Sequence, residues 1–153
     1  MKNQIKRLLQ ISFLAVIAAA GLGSARGQSL SNGVRATIPF DFTVADAKFP
    51  AGEYSVRRAQ SSSGDTLLRV SSVEGNRNAF RLATVAGTLA PKESDTLIFH
   101  QYGEQYFLSE VWPAGASVGR ILRESRAERE ARANLGINKI AQVRTVSVTG
   151  NSQ

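Results

Sequence analysis

From Val34 to Val44 the chain alternates: Val34, Ala36, Ile38, Phe40, Phe42 and Val44 fall on one parity, and Arg35, Thr37, Pro39, Asp41 and Thr43 on the other. Successive side chains of an extended chain point to opposite sides, so this run is a β-strand with one buried and one wet face. A helix would scatter the same apolar residues around its circumference. Pro39 stands on the polar parity; lacking an N–H, it places the strand at a sheet edge or bends it there. A half-buried strand cannot stand alone, and the rest of the chain must supply the elements that cover its apolar side.

Runs of the same kind follow. Phe49-Pro50-Ala51-Gly52 reads as a β-turn with proline second and glycine fourth, and it feeds a strand over Glu53 to Ala59. Gln60 to Asp65 is a loop by composition. Thr66 to Val73 and Ala79 to Ala86 are strand-like and are joined by Glu74-Gly75-Asn76-Arg77-Asn78; Gly87 to Ser94, with Pro91, is a further loop. If Gly103-Glu104 is a type II′ turn, Tyr102 pairs with Gln105, His100 with Phe107, Phe99 with Leu108, Ile98 with Ser109 and Leu97 with Glu110. That register gathers Leu97, Phe99, Tyr106, Leu108 and Trp112 on one face and Ile98, His100, Tyr102, Phe107 and Val111 on the other. Both faces are apolar, which puts this hairpin in the middle of a sandwich or barrel.

After Pro113-Ala114-Gly115, a short run from Gly119 to Leu122 leads into a helix over Ser125 to Leu135. Ser125 and Glu128 have capping-box spacing, Gly136 is a C-cap signal, and Glu128 with Arg132 forms an i,i+4 pair. Its apolar stripe is only Ala127, Ala131 and Leu135, so the helix is expected to be held loosely. Ala141 to Val148 is a last strand or a frayed tail. The expectation is an all-β domain, an antiparallel β-sandwich or small β-barrel of about seven strands with one C-terminal α-helix. Residues 34–122 form the β-domain, 123–136 the charged helix and 137–153 the C-terminal strand or tail.

The chain opens with a basic stretch, Met1 to Arg7, an apolar run, Leu8 to Leu22, and the small residues Gly23-Ser24-Ala25. This is the pattern of an export signal over residues 1–25, cleaved after Ala25 and followed by a flexible leader, 26–33. The apolar run falls short of the ~20 residues that span a bilayer. The product is thus expected outside the cytoplasm, in the periplasm or medium, with no transmembrane span. Lys2, Lys6 and Arg7 leave with the signal, so the formal charge of +7 falls to about +4. With no cysteine in the chain, a disulfide framework, a lipidated cysteine, a thiolate metal site and a cysteine nucleophile are all excluded.

Chemistry has few footholds. His100 is the only histidine and so the one ordinary proton shuttle at neutral pH. In the register above Ser109 lies diagonally across from it, while Glu110 and Asp95 point to the opposite face, so no local triad forms. A lone histidine without cysteines does not make a transition-metal site, calcium loops lack closely spaced acids, and no phosphate-cradling glycine pattern occurs. Catalytic residues, metal and cofactor are accordingly expected to be none, and no aromatic and basic nucleic-acid motif is present. The residues read as ligand-binding are Tyr102, Tyr106, Phe107 and Trp112, whose flat amphipathic rings stack on sugars or apolar ligands, with His100. Arg123, Arg126, Arg129 and Arg132 recur every three residues and form a basic helix face able to bind anions.

The strings Val34-Arg35-Ala36-Thr37-Ile38-Pro39-Phe40-Asp41-Phe42-Thr43-Val44 with Phe49-Pro50-Ala51-Gly52-Glu53-Tyr54, then Phe99 to Leu108, then Ser125 to Glu130, resemble three blocks of a family of small exported proteins abundant in acidobacteria. The resemblance implies a shared fold and export and assigns no functional residue. The leading expectation is a non-catalytic envelope or extracellular protein that binds an anionic surface component or a partner protein. A small-molecule carrier with a pocket inside a barrel is the alternative, and a hydrolase of envelope polymers the third.

Overall fold

The computed structural model describes residues 33–62, 65–135 and 144–150. They fold as an all-β domain with one helix on its outside. Its strands are β1 (Val34–Ile38), β2 (Phe42–Val44), β3 (Ala47–Phe49), β4 (Gly52–Ser62), β5 (Asp65–Ser72), β6 (Asn78–Gly87), β7 (Thr96–Tyr102), β8 (Gln105–Trp112), β9 (Val118–Leu122) and β10 (Arg144–Thr149), and the helix is α1 (Arg126–Asn134). The strand path runs β1, β4, β5, β6, β9, β8, with β7 on the far side of β8 and β10 beyond β7. One edge of β8 is shared: β9 takes its C-terminal half, and β2 lies parallel to it where Thr43 meets Phe107. The path is open, since no ladder joins β1 to β10 among the described residues. Its two ends still approach, because Gly150 lies against the Arg35 carbonyl and its N–H donates to the Asp95 carbonyl at 2.6 Å.

The alternating run behaves as its parity requires: Val34, Ala36, Ile38, Phe42 and Val44 are buried, and Arg35 and Thr37 are exposed. It is not one strand. Pro39 ends β1, and the chain swings through Phe40 and Asp41 into β2, where Ala45 at φ 57° turns it back so that Phe42 faces Phe49 on β3. Three residues make this a sharp bend that carries the parity across it, so Phe42 reaches a different part of the same core. There its ring meets Phe49 (5.3 Å between centroids), Tyr54 (4.9 Å) and Phe99 (5.5 Å), the last two edge-on, each such pair contributing about 1 kcal/mol beyond its buried area. With Val56, Leu68, Val70, Leu97 and Val111 these rings fill the space between the two sides of the sheet.

Two further expectations give way. Of the loop expected over Gln60 to Asp65, Gln60 to Ser62 belong to β4 and Asp65 starts β5, after a bulge between Arg58 and Gln60; Ser63 and Gly64 lie outside the described residues. A ladder needs only backbone donors and acceptors, so polar composition did not stop it. The Tyr102–Gln105 turn forms as expected, with Gly103 at φ 63°, and the register holds as far as Phe99–Leu108. It then slips: Ile98 faces Glu110 and Leu97 faces Val111, leaving Ser109 as a bulge whose hydroxyl donates to the Ile98 carbonyl at 3.1 Å. An extra residue reverses every later side chain. Val111 therefore joins Leu97 in the core, and Glu110 and Trp112 move to the outer face that carries His100.

Candidate functional site

The outer face of the β7–β8 hairpin is the most chemically furnished part of the molecule. Helix α1 lies over its turn end, with Ala131 packed on Tyr102 and Phe107 and flanked by Ala127 and Leu135. This stripe is short, as the composition indicated, yet the helix is not loosely held, because polar contacts tie it at its start. Ser125 Oγ accepts from the Glu128 N–H at 3.0 Å, and Asp46, from the β2–β3 turn, accepts from the Ala127 N–H at 3.1 Å. Both satisfy amides that a helix N-terminus leaves without partners.

The expected capping box is only half made. The Glu128 carboxylate turns down onto the sheet, where Oε1 accepts from His100 Nδ1 at 2.9 Å and from the Tyr102 hydroxyl at 3.4 Å. Glu128 thus pairs with His100 and not with Arg132; Arg132 pairs with Glu124 at 3.3 Å and Arg126 with Glu130 at 2.7 Å. The hydrogen bond His100 donates to Glu128 raises the His100 pKa, against a smaller opposing effect of burial, and the charges of Glu128, Glu110 and Glu124 add to the rise. Burial, with the Glu128 charge next, pushes the Tyr102 hydroxyl up to about 12. Glu110 reaches the histidine's face only through the Ser109 bulge. Ser109 itself is buried and spends its proton on a carbonyl, so the hydroxyl that stands beside the histidine–carboxylate pair is that of Tyr102.

The ligand-binding candidates divide. Tyr102 and Phe107 are buried beneath α1. Trp112 is buried too, its indole laid over Gly119, where a Cβ would strike the ring, and its Nε1–H donates to Glu110 Oε2 at 2.6 Å. His100 is half-buried. Tyr106 lies on the other face, stacked on Phe40 with 4.1 Å between centroids, and lines a cleft of about 320 Å³ between the β2–β3 hairpin and the β7–β8 turn. Asp41, Lys48, Pro50, Arg77 and Glu104 complete its rim. The structure therefore brings Tyr102, Phe107 and His100 together around α1, and places Tyr106 and Trp112 elsewhere. The helix arginines are all exposed, but Arg126 and Arg132 are paired to acids and Arg129 donates to the Glu124 carbonyl at 3.2 Å.

One feature escaped the sequence reading. On the outer face of β5, β6 and β9, Phe80, Leu82 and Ile121 are 50%, 41% and 42% exposed. They adjoin: Leu67 pairs with Leu82, Arg69 with Phe80, and Thr84 with Ile121. Arg57 and Arg69 stand directly opposite each other at one margin; at the other, Glu110 faces Ile121 and Arg123 comes two residues after it. Alternation in Ala79 to Ala86 was legible, but which parity faced inward was not, since alanine and valine share one side and phenylalanine and leucine the other. Comparison with known proteins yields no match to a family model, to a curated protein or to a solved structure.

Proposed function

We propose that the chain is an exported, non-catalytic binding protein that docks on the anionic lipid surface of the cell envelope through the outer face of β5, β6 and β9. The single observation that carries this reading is the contiguous apolar strip of Leu67, Phe80, Leu82 and Ile121, bordered by Arg57 and Arg69 at one side and by Glu110 and Arg123 at the other. Exposed apolar patches with a polar rim mark contact surfaces. Like charges directly across a strand pair, as Arg57 and Arg69 are, cost stability unless something anionic lies between them. The leader-like residues 1–25 support export, and among the described residues no helix is long and apolar enough to cross a membrane. A carrier with a ligand inside the sheet is the weaker reading, because the rings of Phe42, Phe49, Tyr54 and Phe99 occupy that space.

The test is sedimentation of the protein, purified from an exporting host, with phosphatidylglycerol vesicles and with phosphatidylcholine vesicles. Binding is expected only to the first, weakened several-fold between 50 and 500 mM salt by screening and abolished by the double change Phe80→Ser with Leu82→Ser. Equal recovery on both vesicles, or retention by the double variant, rejects this surface.

A further inference from the structure

The cleft between the β2–β3 hairpin and the β7–β8 turn shares no residue with the apolar strip. Its base is apolar and fixed. Phe42 and Phe49 border it, buried and stacked on each other, and Tyr54 packs edge-on against both while its hydroxyl donates to the Pro50 carbonyl at 2.6 Å. Tyr106 supplies a wall, backed by the Phe40 ring.

The rim carries two acids, Asp41 and Glu104, and two bases, Lys48 and Arg77, all exposed. Among the described residues none of the four forms an ion pair. Two are instead held by backbone groups. Asp41 Oδ1 accepts from the Ala51 N–H at 2.9 Å, and Arg77 Nη1 donates to the Lys48 carbonyl at 3.1 Å, so each is positioned through one atom of a group that has more to offer. Side chains positioned before a ligand arrives lose less freedom when it binds.

This balance of charge decides what fits. A simple anion or cation in the cleft meets two groups of its own sign. A small zwitterion answers one acid and one base and leaves the other pair unanswered. A neutral molecule with many hydroxyls uses all four, since carboxylates only accept, lysine and arginine only donate, and each hydroxyl does both. The cleft, at about 320 Å³, stands at the small end of the ~300–1,000 Å³ typical of ligand sites and admits only a short occupant.

We propose that this cleft binds a short neutral saccharide, its hydroxyls met by Asp41, Lys48, Arg77 and Glu104 and its C–H surface by Tyr106 and the apolar base. A tyrosine suits the wall because its ring is apolar and its hydroxyl polar. The proposal rests on the cleft alone and stands or falls apart from the membrane-docking reading.

The experiment is titration of the protein with cellobiose, maltose and diacetylchitobiose, and separately with diglycine, followed by NMR of the backbone amides. At least one disaccharide is expected to shift the amides of Thr43, Lys48, Gln105 and Tyr106 in a saturable way. Arg77→Ala and Glu104→Ala, both at exposed positions, are each expected to weaken that binding about tenfold, the loss of one hydrogen bond to a charged group. Tyr106→Leu is expected to abolish it; since that ring packs on Phe40, the two rim variants carry the test should it not fold. Diglycine binding as tightly as the best disaccharide identifies a zwitterion site and overturns the saccharide reading. No saturable shift with any of the three disaccharides, or a shift that both rim variants leave undiminished, overturns it as well.

Discussion

His100 shows how a residue without catalytic company acquires a physical role. Its Nδ1 holds the Glu128 carboxylate, linking sheet and helix, and the raised pKa means that the folded protein binds this proton more tightly than the unfolded chain does. Stabilisation from such a group is complete below its unfolded value of about 6.5 and fades as pH rises through the higher folded value. His100→Gln should therefore cost more at pH 5.5 than at pH 8.5. The expected difference is about 1 kcal/mol, after allowing for a side chain that is 37% exposed. Urea unfolding of both proteins at the two pH values measures it, and an equal cost at both would show that the ion pair contributes nothing. Sequence marked His100 as singular and Ser125 as a cap, but Glu128 belonged to the capping box in that reading. Which of two partners a carboxylate takes depends on what lies beneath it once the helix docks.

Among the elements, α1 has little to bury, and its hold rests on two separate acceptors at its first turn. Ser125→Ala is expected to destabilise the protein by about 1 kcal/mol, and Asp46→Ala by a similar amount. Because the two acceptors serve neighbouring amides of one helix turn, Glu128 and Ala127, the double variant should lose less than the sum, the turn having frayed once either bond is gone. Chemical unfolding followed by circular dichroism tests this, and no loss in either single variant would mean that water replaces these bonds without cost. The β7–β8 hairpin teaches the converse lesson. Its turn was legible, because glycine supplies the positive φ of a two-residue loop. Its bulge was not, since Ser109 carries no signal that distinguishes it from a paired residue and acts only through a carbonyl across the strand. Everything beyond the bulge changed sides in consequence, Trp112 and Glu110 included.

Taken as a molecule, the protein has one core and a sheet whose ends meet without pairing. β10 covers the outer edge of β7 and inserts Val148 into the core. Removing residues 144–153 would bare a row of unpaired backbone groups along β7, and such edges recruit other chains. The truncated protein is expected to elute from a sizing column as oligomers or aggregate at concentrations where the intact one elutes as a smaller species. An unchanged elution volume and melting temperature would show the strand to be dispensable. From residue order alone one could read most of the strands, the Gly103 turn, the helix near Ser125 to Leu135 and the buried parity of Val34 to Val44, because each depends on neighbours within a few positions, though about seven strands were expected where the described residues form ten. The inward face of Ala79 to Ala86, the slip at Ser109 and the His100–Glu128 contact were decided by the tertiary structure. They arise between segments tens of residues apart, where the room left by other side chains and the loss of water, and not local preference, select the outcome.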